Sequence, residues 1–197
     1  DRVRKAIEEI IKPGRDISQR TLDQAWKNCK GKLYEKTVYK ALEEIIKFDK
    51  DLNNKFLVLW NPKEIHKKQI AIRNWSEIYP DADILIVEKV SNKVKAIISC
   101  KTSLRERLTE TAFWKRELEH SNIRDVKIIF VTTNKDNELE NETNRYIIQH
   151  VLDGVIITDE LKYKELIDKY KKRYKDKQVD ELLSKIKFID DFKSLLL

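Results

Sequence analysis

The chain predicts an α/β fold, a mixed central β-sheet flanked by helices, and three observations carry that prediction. Apolar residues recur at helical spacing through the first fifty residues, short apolar runs bounded by polar or turn residues follow between 56 and 158, and two charged amphipathic segments come after Asp159. At 197 residues the chain is long enough for one well-buried core and short for two full domains. A single domain over 1–197 is expected, helical over 1–50 and again over 159–197.

Val3, Ile7, Ile10 and Ile11 share one helical face, and Pro13-Gly14 stops that helix. A second helix is expected from Ser18 as N-cap to about Cys29. Gly31 punctuates it, and Tyr34, Val38, Ala41, Leu42, Ile45 and Ile46 mark a strongly amphipathic third helix. From Phe56 the periodicity changes: residues 56–60, 84–87, 94–100, 126–132 and 154–158 read as strands. Asn92, with Ser91 and Lys93, supplies a turn that joins the second and third runs into a hairpin. Residues 103–119 and 141–152 read as helices, and no internal repeat or low-complexity linker is present.

Forty-one basic against 34 acidic residues give a net charge of +7, a modest cationic excess that favours a polyanionic partner only weakly. Cys29 and Cys100 form neither a disulfide framework nor zinc-ligand spacing, which suits a reducing compartment. No apolar run approaches the roughly 20 residues a membrane span needs, and no signal-peptide pattern opens the chain. A soluble, cytoplasmic protein is expected.

The chemistry concentrates at the hairpin. Tyr79-Pro80-Asp81-Ala82-Asp83 leads into one arm and Lys101 ends the other. Hydrolysing a phosphodiester near neutral pH needs a cation that lowers the pKa of a water and offsets charge on the leaving oxygen. Mg2+ takes hard oxygen ligands, one or two carboxylates completed by waters and substrate phosphate. Asp81 and Asp83, two apart in an extended segment, can face one side, and Lys101 could reach the attacking water or the scissile phosphate. Solvated strand ends carry the same residue types, so spacing alone leaves both readings open. Asp83 is preferred over Asp81 as first metal ligand because it abuts the strand. The Cys100 side chain, between Ser99 and Lys101, points away into the core, while its backbone carbonyl could add a metal ligand. Arg105, Glu106 and Arg107 combine the donors and acceptor that base reading in the major groove needs.

Other candidates are weaker. His66, His120 and His150 lack metal-ligand spacing and read as surface or capping residues. Trp60, Trp75 and Trp114 read as core rather than as DNA contacts. The basic stretch 63–70 lies in a long connection, a phosphate-contacting loop or a solvated one.

The order of elements resembles the PD-(D/E)xK nuclease superfamily. Ser99-Cys100-Lys101-Thr102-Ser103-Leu104-Arg105-Glu106-Arg107 resembles its SsoII/PspGI/EcoRII group of type II restriction endonucleases. That group is similar in having serine or another non-acid at the usual acid position, then lysine, then an R-(D/E)-R reader of a CC/GG core. The resemblance implies a restriction-endonuclease-like core with Ser99 in the acid position and Lys101 as the catalytic lysine. Arg105 and Arg107 would donate to guanine, and Glu106 would accept from cytosine amino groups. Gly31-Lys32-Leu33-Tyr34-Glu35 resembles the G-x-x-x-E start of the first core helix in many restriction enzymes, which implies Glu35 near the metal site. Residues 128–133 and 153–158 look like the later sheet strands, so the resemblance covers 31–159.

One departure matters. The group usually supplies the missing acid from the next helix, about twelve or thirteen residues past the lysine, where this chain has Trp114 and Lys115. Glu110 lies one turn earlier and Glu117 about one turn later; Glu110 is preferred as nearer to Lys101. Glu106, Glu110 and Glu117 also share one stripe opposite Leu104, Leu108 and Leu118, which a solvated acidic face would produce as well. The expectation is a Mg2+-dependent type II restriction endonuclease, acting as a homodimer on double-stranded DNA at a short palindromic GC-containing site. The rivals are a repair or junction-resolving nuclease on the same fold and a non-catalytic DNA-binding module.

Overall fold

A computed structural model describes residues 19–197 except 74, 105, 106, 175 and 176. The helix expected around Val3–Ile11, the Pro13-Gly14 turn, the Ser18 cap, Arg105 and Glu106 lie outside the described residues. Helix α1 (Gln19–Phe48) runs unbroken through Gly31, which corrects the expected break. A glycine inside a helix costs only about 1 kcal/mol against alanine, and helix formers on both sides carry the ladder across it. Val38, Leu42 and Ile46, four residues apart, are the buried stripe of α1. Asp49 then caps α2 (Lys50–Lys55), its carboxylate accepting the amides of Asp51 and Leu52.

Five of the strands fall on the apolar runs: β1 (Phe56–Trp60), β4 (Ile84–Glu88), β5 (Val94–Lys101), β6 (Lys127–Thr132) and β7 (Gly154–Ile157). The connection after β1 is ordered rather than a plain loop, with α3 (Glu64–Lys67), a 3-10 turn and a small hairpin of β2 (Ile72–Arg73) and β3 (Glu77–Ile78). Beyond β5 come α4 (Arg107–His120), α5 (Glu142–His150), α6 (Glu160–Arg173), α7 (Lys177–Lys185), a further strand β8 (Ile186–Phe188) and α8 (Lys193–Leu196).

Among the described residues, six strands form one sheet in the order β1-β4-β5-β6-β7-β8. β1, β4 and β5 pair antiparallel, whereas β5 through β8 pair parallel, so the sheet is mixed as the sequence predicts. The β4–β5 hairpin turns at Asn92, whose φ of 53° is the left-handed conformation asparagine tolerates best after glycine. Alternate residues of β4 and β5 feed two cores. Leu85, Val87 and Ile97 face Leu108, Leu118, Ile148, Leu166 and Leu182 of the later helices. Ile84, Ile86, Ile98 and Cys100 face the α1 stripe and Phe192. The sheet is thus covered on both sides, with β5 near its centre.

Candidate active site

Lys101 ends β5 and Asp83 stands one residue before β4, so the antiparallel pairing of Ile84 with Ile98 brings them to the same end of the sheet. The Asp83 amide donates to the Ile98 carbonyl at 3.2 Å, which fixes the acid's backbone to the neighbouring strand. Its carboxylate accepts the Cys100 amide at 2.7 Å and the Lys101 ammonium at 3.2 Å. The same ammonium reaches Asp81 at 3.0 Å. One lysine therefore bridges both acids. Asp83 is the enclosed member of the pair, with a side chain 9% exposed against 44% for Asp81.

Burial dominates the electrostatics. It pushes the Asp83 carboxyl above the usual aspartate value, against the opposing Lys101 charge and Cys100 hydrogen bond. At Lys101 burial works against the charge, but Asp83 and then Asp81 outweigh it and hold the pKa above the ordinary lysine value. Glu35 arrives from α1. Its carboxyl is raised by partial burial first and then by the negative charge of Asp83, with Lys101 opposing and Asp81 adding to the rise. The Cys100 thiol lies inside the α1-side core and is pushed well up by burial.

The structure thus brings together Asp81, Asp83, Lys101 and Glu35. Ser99 is buried on the strand two residues before Lys101. Arg107 opens α4 and donates to Glu110 at 2.8 Å. Glu110 first, and then Asp81 and Asp83, push the Arg107 pKa up, which places this guanidinium within the field of the acid pair. Glu110 joins the cluster through Arg107 rather than through Lys101. Lys115, near the position where the group usually has its glutamate, is buried and paired with Asp153 at 2.8 Å, donating also to the Val126 carbonyl at the opposite end of the parallel strands.

Two aromatic and histidine expectations need correction. Trp75, at the tip of the β2–β3 hairpin, is 100% exposed, while Trp60 and Trp114 are half-buried. His66 is buried rather than superficial: its Nε2 pairs with the Asn92 side chain at 3.1 Å. Gln69 donates to the Asn92 carbonyl and accepts the Val94 amide. Part of the 63–70 stretch is therefore a brace for the hairpin turn, while Lys63, Lys67 and Lys68 remain exposed. Sequence reading also missed Tyr34. Its hydroxyl bonds Thr158 at 3.0 Å, tying the turn of α1 that carries Glu35 to the end of β7.

The donor types suit a hard divalent cation: one enclosed carboxylate, one half-exposed, and a third, Glu35, within their electrostatic field. Among the described residues no three histidine, cysteine or acidic side chains are already gathered in ligand geometry, and the Lys101 ammonium stands between the two aspartates.

Comparisons with known proteins agree with this geometry. The family model for BsaWI restriction endonuclease type 2 matches residues 62–181. A curated protein of Methanocaldococcus jannaschii, named as a candidate type II restriction enzyme, MjaVIP, is 31% identical over 180 residues, covering 80% of this chain and 78% of its own. A second candidate type II restriction enzyme, HpyAORF263P of Helicobacter pylori, is 36% identical over 63 residues, covering 32% of this chain and 33% of its own. The solved complex of restriction endonuclease PspGI with substrate DNA superposes with a TM-score of 0.63 at 18% identity, covering 98% of this chain and 70% of that one, and so shares the fold. With its family model matching more than half of the chain and a relative aligned over most of both chains, the protein belongs to the BsaWI-like family of type II restriction endonucleases.

Proposed function

We propose that the chain, as a single nuclease domain, hydrolyses duplex DNA sequence-specifically with Mg2+, as a homodimer on a short palindromic GC-containing site. The observation that carries this reading is the Lys101 ammonium bridging Asp81 and Asp83 at the end of β5. Asp83, with Asp81 or Glu35 and the Cys100 backbone carbonyl, would hold Mg2+, which supplies an acidified water and charge compensation at the leaving oxygen. Asp83 is held for this by the Cys100 amide as well as by Lys101. Lys101 positions the attacking water or the scissile phosphate, its positive charge secured by the two acids. Glu110 completes the acid set, with Arg107 holding it at the start of α4. Arg105 and Arg107 donate to guanine and Glu106 accepts from cytosine in the major groove. Two-fold symmetry of the dimer matches two-fold symmetry of the site.

The test is Lys101→Ala. Cleavage should fall by about a hundredfold or more, the scale of losing one transition-state donor, with duplex binding in Ca2+ retained. Cleavage at the wild-type rate would remove Lys101 from the mechanism.

A further inference from the structure

The segment between Lys101 and the Arg105-Glu106-Arg107 cluster is held from outside itself. The Thr102 carbonyl accepts the Thr133 hydroxyl at 3.1 Å, and the Leu104 amide donates to the Asp136 carboxylate at 3.0 Å. The Arg107 amide donates back to the Leu104 carbonyl at 2.7 Å, and the Leu104 side chain is fully buried. Both outside partners come from the loop after β6, and that loop has fixed geometry of its own. Thr132 Oγ1 accepts the Asn134 amide at 3.1 Å, and Asn134 and Asn137 take left-handed φ values of 53° and 56°. Leu139, fully buried, anchors its far end. The second carboxylate oxygen of Asp136 is buried with no hydrogen-bond partner among the described residues. Leaving a buried polar atom unpaired costs free energy, so packing alone does not account for an aspartate at this position.

We propose that Asp136 is a positioning residue for base recognition: by fixing the peptide that precedes Arg105, it sets where the reader stands relative to Lys101. The inference rests on the base-reading role of 105–107. An amide bonded to a carboxylate is held more firmly than one bonded to a neutral acceptor. Bidentate guanine contacts demand that firmness, because a supporting shell that is loose by an ångström forfeits them.

The experiment uses the full chain, with duplexes carrying the site the wild type cuts and duplexes with one core base pair changed. Asp136→Ala should narrow the ratio of kcat/KM between them by about tenfold, within the range one bidentate contact supplies, with kcat on the intact site nearly unchanged. Asp136→Asn, whose neutral amide oxygen still accepts the Leu104 amide but holds it less firmly, should recover part of the ratio. Hydrogen exchange over 102–108 without DNA should accelerate most in the alanine variant and less in the asparagine variant. An unchanged ratio, or an equal loss on both duplexes, overturns the proposal. A wild type with no preference at any base pair overturns the base-reading role instead, and unaltered exchange in Asp136→Ala overturns the positioning role by itself. Should the alanine variant fail to fold, Thr133→Val removes the companion bond to Thr102 and is expected to narrow the ratio in the same direction; a full ratio there overturns the proposal.

Discussion

Lys101 satisfies two carboxylates with one ammonium, and Asp83 is the more buried of the two. Asp83 and Glu35 both have pKa values raised by burial, so each binds a proton more readily folded than unfolded. Their contribution to stability is therefore fully present below the unfolded carboxylate pKa and is lost as pH rises through the raised folded value. Asp83→Asn removes that loss. With a chelator present, the urea midpoint of Asp83→Asn relative to wild type should rise between about pH 4, near the ordinary aspartate value, and pH 7. A difference that is flat or falls with pH would show that Lys101 outweighs burial at this carboxylate. Asp81, Asp83 and Lys101 were legible in the sequence because strand alternation and a hairpin turn suffice to bring them together. The placement of Glu35 beside them came only from a resemblance, since no local period reports that α1 crosses the sheet at the end where Asp83 and Lys101 meet. Trp75 and His66 defeated the reading for a common reason: exposure at a hairpin tip and burial under a turn are tertiary facts.

At the scale of elements, Gly31 shows how punctuation misleads. The glycine interrupts the apolar pattern of α1 but not its hydrogen-bond ladder, and a Cβ built there meets nothing within 4 Å. Gly31→Ala should accordingly stabilise the protein by about 1 kcal/mol, read as a higher urea midpoint. Destabilisation would mean that the helix is bent or broken at that point in solution. β8 escaped for the opposite reason. Ile186-Lys187-Phe188 is three residues long and continues the pattern of α7 without a break, and only its parallel pairing with Val155, Ile156 and Ile157 makes it a strand. β4, β5, β6 and β7 were legible because runs buried on both faces are largely apolar, as β4 is. Lys115 belongs to this scale too: α4 points it into the structure at the far end of β6, so a glutamate there would stand away from Lys101.

For the whole molecule, the sheet order puts β5 between an antiparallel half that carries Asp81 and Asp83 and a parallel half that supplies the loop bonded to Leu104. No helix among the described residues is long and apolar enough to cross a membrane. The proposed dimer predicts a solution mass twice the 23.6 kDa of one chain by light scattering, with one dimer bound per palindromic duplex. A monomer that binds and cuts both strands unaided would contradict the matched symmetry. The most direct measurement is sequencing the ends of plasmid fragments produced with Mg2+. Every end should fall at one short palindromic GC-containing site with a constant stagger, and no ends should form when Mg2+ is chelated. Ends scattered over the plasmid, ends confined to branched structures, or an uncut plasmid would contradict the proposed function.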